Sequence, residues 1–272
     1  MERIKYVSYK NLIQLISFWH DPKKKSFVAI TEYVEFTSIA DIMKKHKIGV
    51  PAARKWLSGV VAALDFLSSL SPPIPHGRIN VDSIYIKMST GSVKVQIPIP
   101  FYKDRKCFNF TYSTPPETLY GVYDILSDIW CLGLTALEVI TGEEPYREYD
   151  TPEKLFHALI SGVLPESLKK VTDPDAYDFI SKCLVDHDCR PMIADLVGHP
   201  FVNLNTTTMK NPISNEECEV LFSPKRPAAN PNAINFALSH RRVSATEEYT
   251  LQSFASQAKE HGVNLTDLIT LK

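Results

Sequence analysis

The chain has 272 residues, 44% hydrophobic and 22% charged, enough apolar content to bury a core without disulfide or metal staples. Thirty Lys and Arg against 31 Asp and Glu leave a net charge of -1, which excludes a generally basic nucleic-acid binder. The 10 glycines are too widely spaced for G-x-G-x-x-G, the P-loop pattern or G-x-S-x-G, so a standard glycine-rich phosphate cradle is excluded too.

Leu12–Phe18 and Phe27–Val34 are β-branched and aromatic, and the polar stretch between them carries Pro22, so they are predicted to form a hairpin. Ile39–Lys45 has a short helical pattern. Ala53–Leu70 is predicted to be a mostly buried helix. Trp56, Val60, Ala63, Leu67 and Leu70 fall on one face and Leu57, Val61 and Leu64 on a second. SPPIP at 71–75 ends it. Ser83–Lys87 and Ser92–Ile97 form a second predicted hairpin turning at Ser89-Thr90-Gly91. Residues 98–123 are irregular and carry four prolines.

Asp124–Thr141 is apolar nearly all round and reads as a central core helix. Thr151-Pro152 and Asp173-Pro174 each place a capping side chain before a proline, the start signal for helices to about Ser161 and through Cys183. Met192–Val197 is a last short helix before His199-Pro200-Phe201. From 203 to 243 the chain is rich in Asn, Thr, Ser, Pro and Arg and reads as a flexible linker. In the tail, 244–272, Leu251, Phe254, Ala255 and Ala258 share one face of a predicted amphipathic helix.

Five cysteines, an odd number without C-x-x-C, point to a reducing compartment, the cytoplasm with the nucleus as the alternative. Cys183, His187 and Cys189 lack zinc-finger spacing and are read as helix cysteines beside a surface histidine. No apolar run approaches the roughly 20 residues of a membrane span, and MERIKYVSYK has no signal-peptide core.

Four motifs occur in one order. PPIPHGRINVDSIYI at 72–86 resembles the catalytic loop of eukaryotic protein kinases, H-R-D-L-x-x-x-N followed by a strand. STPPE at 113–117 resembles the A-P-E end of the activation segment. DIWCLG at 128–133 resembles the D-x-W-S-x-G of a central kinase helix, and CRPMIADLVGHPF at 189–201 resembles the final helix. SPPIPHG, SGVLPESLKKV and TGSVKV are most similar to the with-no-lysine kinases and to their pseudokinase relative, the nuclear receptor-binding protein.

The resemblance implies an α+β kinase-like domain over residues 1–202, mainly the helical C-lobe with remnants of the N-lobe sheet. It also implies that the N-lobe is largely missing. Glu117 and Arg190 then match the ion pair that ties the activation segment to the lobe. Asp128 matches the residue that holds the catalytic-loop backbone, and His76 the loop anchor. Thr31 matches the gatekeeper and Glu32–Val34 the hinge, while Lys23-Lys24-Lys25 reads as a solvated loop.

Three matched positions depart from the family. Arg78 stands where an aspartate accepts the substrate proton, and a guanidinium cannot accept one. Ser83 stands at the metal-binding Asn and Ile97 at the metal-binding Asp, and a hard cation wants oxygen ligands. The expected function is therefore a catalytically inactive pseudokinase, a scaffold or allosteric regulator in signalling that needs no cofactor. Its expected partners are other proteins, active kinases or their substrates among them, with no nucleic acid. The alternative is a fragment of a longer with-no-lysine-like serine/threonine kinase. A third reading is a helical interaction module without kinase ancestry, in which the four motifs would scatter in space. Ser223, before Pro224, and Ser244, after Arg241-Arg242, are candidate phosphorylation sites, the second also a helix cap.

Overall fold

In the computed structural model, which describes residues 4, 7–21, 26–98, 112–120, 122–204 and 222–224, the expected hairpin forms with shifted bounds. Strand β1 (Leu15–Asp21) pairs antiparallel with β2 (Ser26–Thr31), Phe18 opposite Ala29. The first strand starts later than its apolar pattern predicts because residues 11–13 are engaged elsewhere. Ile13 N–H donates to the Val95 carbonyl at 2.8 Å, and Val95 N–H to that of Asn11 at 2.8 Å.

After β3 (Thr37–Ser38) comes α1 (Ile39–Lys45), where the Ser38 hydroxyl accepts from Asp41 N–H at 3.1 Å. A short strand, β4 (His46–Ile48), leads into α2 (Val50–Ser69). This helix begins before Ala53 because Pro51 suits a first turn, where a missing N–H costs nothing. Both predicted apolar faces are buried, from Trp56 and Val60 on one to Leu57 and Val61 on the other. Strands β5 (Ile84–Lys87) and β6 (Ser92–Val95) form the second hairpin, and β3 joins them in a sheet of order β3-β5-β6. Gly91, at φ 67°, makes the turn that a side chain would strain.

A 3₁₀ turn at Pro116–Tyr120 precedes α3 (Ile125–Thr141), in which every residue from Ser127 to Val139 is buried. That is why its sequence is apolar all round. The surrounding helices are α4 (Pro152–Ile160), α5 (Pro174–Cys183) and α6 (Ile193–Val197), with 3₁₀ turns at Glu166–Lys170 and His187–Cys189. The caps predicted at Thr151 and Asp173 both accept a backbone N–H. Helix α3 packs between α2 and α5. Gly133 permits the second contact, since a Cβ there would lie 2.6 Å from Cys183 Cβ.

Within the stretch expected to be a linker, Phe222–Pro224 form a strand, β7, antiparallel to β4. The segment has no apolar period of its own and pairs through its backbone. Ser244 and the predicted tail helix lie outside the described residues, as do Lys23, Lys24 and Lys25.

Candidate functional site

The loop between α2 and β5 is held from its centre by α3. Asp128 lies on the first turn of α3, buried at 2% exposure. Its Oδ2 accepts the N–H of His76 at 2.6 Å and its Oδ1 that of Gly77 at 2.9 Å. The Tyr123 hydroxyl donates a third bond to Oδ1 at 2.6 Å. Two loop amides that lack helix or sheet partners are thus satisfied by one carboxylate. Burial pushes the Asp128 pKa up to about 6, against the pull of Tyr123 and the two backbone donors.

His76 is fully buried, and burial drives its pKa down to about 4, so the ring is neutral at physiological pH. Its tautomer follows from its neighbours. Nδ1 receives the Arg78 N–H at 3.2 Å and must be the acceptor; Nε2 lies 2.7 Å from the Gln96 carbonyl and must carry the hydrogen. The ring therefore ties the loop to the residue just before Ile97.

The three departed positions lie along this loop and the strand beside it. Arg78 is half-buried, and its positive charge adds to the lowering at His76. Ser83 is fully buried, with its hydroxyl donating to the Asn80 carbonyl at 2.9 Å and accepting the Asn80 N–H at 3.1 Å. Asn80 Oδ1 closes the turn by accepting from Asp82 and Ser83. The Ser83 hydroxyl is thereby committed to the loop's own backbone. Ile97 is 6% exposed and joins the apolar core. These two side chains do not fit a divalent cation: one oxygen is already engaged, and the other residue has none.

Glu117, on the 3₁₀ turn Pro116–Tyr120, meets Arg190 across 73 positions of sequence. The contact is a two-pronged ion pair, 2.6 Å to Oε1 and 2.9 Å to Oε2, with Arg190 side-chain exposure of 1%. Arg190 also donates to the carbonyls of Val185 and Leu126, and its guanidinium carbon lies 5.0 Å from the centre of the Trp130 ring. Burial works to raise the Glu117 pKa. Hydrogen bonds from Arg190 and Ser127 outweigh it and hold the carboxyl below its ordinary value.

Tyr123, Ser127 and Trp130 complete the two buried charge sites. Trp130 stands in the DIWCLG motif, and Asp124-x-x-Ser127 forms a reciprocal cap on α3, but the Tyr123 hydroxyl has no characteristic spacing from the charge it serves. His187 binds Asp124 and Asp188, at 3.0 and 2.9 Å, and hydrogen bonding to Asp188 leads in raising its pKa. Cys183 is buried in α5, while Cys189 is exposed. Thr31 ends β2, and the Glu32 carboxylate receives the Gln14 N–H at 2.8 Å and the Lys94 ammonium.

The fold and this site define a protein kinase domain: the family model of that description matches residues 1–202, and the chain belongs to the family. It is WNK-like within it. The serine/threonine-protein kinase WNK8 of Arabidopsis thaliana is 31% identical over 205 residues, 73% of this chain and 36% of that protein. The probable serine/threonine-protein kinase WNK10 of the same plant is 32% identical over 197 residues, 70% of this chain and 38% of that protein. The serine/threonine-protein kinase Wnk of Drosophila melanogaster is 28% identical over 225 residues, 79% of this chain and 9% of that protein. The chain thus spans well under half the length of these relatives. The family match overturns the reading of a helical module without kinase ancestry.

Proposed function

We propose that this kinase-like domain is catalytically silent and serves as a protein-interaction scaffold or allosteric regulator in signalling. The observation that carries the reading is the loop itself. It keeps the architecture around Asp128 and His76 but presents Arg78 at the position of the proton acceptor. Both metal positions support it, Ser83 by its engaged hydroxyl and Ile97 by its burial in the core. Other proteins are the partners this reading requires, and the cytoplasm or nucleus is where it would meet kinases and their substrates.

A melting titration with Mg-ATP tests the nucleotide half of this reading. A ligand at 100 times its Kd adds about 2.7 kcal/mol, several degrees for a domain of this size. The melting temperature is expected to stay level up to cellular ATP concentrations. A magnesium-dependent rise of several degrees would contradict it.

The second reading is a piece of a longer with-no-lysine-like serine/threonine kinase. It is favoured by the relatives' being serine/threonine-protein kinases by name and by the fraction of their length that the chain spans. It predicts phosphate transfer by a longer product that contains this chain.

A further inference from the structure

His187 opens the 3₁₀ turn His187–Cys189, and both nitrogens of its ring face carboxylates. Nε2 lies 3.0 Å from Asp124 Oδ2 and 3.2 Å from its Oδ1, and Nδ1 lies 2.9 Å from Asp188 Oδ1. An ionised carboxylate only accepts, and a neutral imidazole has one N–H to give. With a neutral ring one carboxylate would face a lone pair, so only the doubly protonated ring satisfies both contacts. The two carboxylates are not equal. Asp188 is 97% exposed, where water and salt screen it and the side chain is free to swing away, although its bond leads in raising the ring's pKa. Asp124 is fixed, because its Oδ1 also accepts the N–H of Leu126 at 2.8 Å and of Ser127 at 3.2 Å to cap α3.

We propose that His187 is a proton-operated clasp that, when charged, holds the 187–189 turn to the capped N-terminus of α3 through Asp124. A second tie joins the same two segments. Arg190, next after the turn, donates to the Leu126 carbonyl at 3.1 Å. A guanidinium stays charged at every physiological pH, so that tie is permanent. An imidazole loses its charge near neutrality, so the His187 tie is conditional. Proton loss replaces a cation between two anions by a neutral ring with one hydrogen to donate. The pH therefore sets whether the turn is held to α3 by two charged ties or by one. Tyr123, beside Asp124, donates to the Asp128 carboxylate that holds the 76–77 loop, so the clasp closes one residue from a loop anchor.

The carboxylates around the ring favour its proton. Asp188 comes from its own turn, with Asp186 exposed just before it. Asp124 faces it from the start of α3, and Glu117 adds attraction from the 3₁₀ turn Pro116–Tyr120. The charge of Arg190, the cation that follows the turn, is matched by Glu117. Against partial burial, the bond to Asp188 first and Asp124 next raise the His187 pKa above its ordinary 6.5. The contribution of the clasp is therefore full below about 6.5 and is lost as pH rises through the folded midpoint. This inference is independent of whether the kinase-like domain is catalytically silent.

The test uses the full chain, isotope-labelled for NMR, with the His187 ring resonance assigned by its loss in His187→Gln. Its titration midpoint is expected above 6.5 and should fall in Asp124→Asn. Asparagine keeps a side-chain oxygen for the α3 cap, so this variant removes the charge and leaves the helix start. Amide hydrogen exchange is then read at residues 122–128 and 185–190, below and above the measured midpoint. At each pH the natural chain is compared with His187→Gln, which cancels the intrinsic pH dependence of exchange and the titration of Asp128 near 6. Below the midpoint the natural chain should be about two- to fivefold better protected, the range of a partly exposed ion pair, and above it the gap should narrow. Four results would overturn the proposal: a midpoint at or below 6.5, a midpoint unmoved by Asp124→Asn, no gap in protection below the midpoint, or a gap that persists unchanged above it.

Discussion

Arg190 and Glu117 are a buried pair whose members have no water to fall back on. Attraction between buried charges barely repays their desolvation, but one charge left alone in the same place is costly. Arg190→Leu is therefore expected to destabilise the domain by about 3–5 kcal/mol, read by urea unfolding. Replacing both partners by apolar residues should cost far less. An unchanged unfolding curve for the single variant would mean that Glu117 finds another cation or water. His76 gives a second residue-scale expectation. Burial first, and Arg78 with it, lowers its folded pKa to about 4 from an unfolded value of 6.5. The unfolded chain therefore takes up the proton first, so this group's stability is complete above about pH 6.5 and is lost as pH falls toward 4. Asp128, raised to about 6 by its burial, works in the opposite sense across much of the same window. Global stability therefore blends the two, and the ring's own NMR resonance is the proper readout. It should stay that of a neutral imidazole from pH 8 down to about 5 and move only near 4. A midpoint near 6.5 would show the ring to be exposed.

Among the elements, α3 governs the lobe, and its position depends on one missing side chain. A Cβ at Gly133 would lie 2.6 Å from Cys183 Cβ and 3.0 Å from a Leu184 methyl. Helix propensity favours alanine over glycine by about 1 kcal/mol, and overpacking costs typically about 1–3. The clash involves a Cβ fixed to the backbone of α5, so it should win. Gly133→Ala is expected to lower the melting temperature, and a rise would mean that α5 can withdraw freely. This close approach was visible in the sequence only through the kinase-like DIWCLG motif. The helices themselves were legible, since the caps at Thr151 and Asp173 and the two faces of α2 are local features. The start of β1 was not. Residues 11–13 turn to β6 through Asn11 and Ile13, and nothing in a local pattern records a partner more than 80 positions away. The strand at 222–224 was missed for a related reason, because it pairs by backbone and carries no alternation of its own.

At the scale of the whole molecule, a kinase-like fold surrounds a loop that carries Arg78 where the proposed reading puts the proton acceptor. One apolar cluster runs from α2 through α3 to α5 and α6, and it takes in Ile97, where the family places a metal ligand. The loop's anchors were readable only through the family resemblance. Their chemistry, a carboxylate collecting two backbone N–H groups and a tyrosine hydroxyl, emerged from geometry that joins residues 76, 77, 123 and 128. Catalytic groups that act as a unit are strongly non-additive, so under the proposed silent reading a single restored member should restore nothing. The most direct measurement is transfer of radiolabelled γ-phosphate from Mg-ATP to a generic protein substrate, for the natural chain and for Arg78→Asp side by side. Both are expected to remain at background. Incorporation by the natural chain would contradict the silent reading outright. Incorporation by Arg78→Asp alone would show that a working metal and nucleotide site survives beside Ser83 and Ile97.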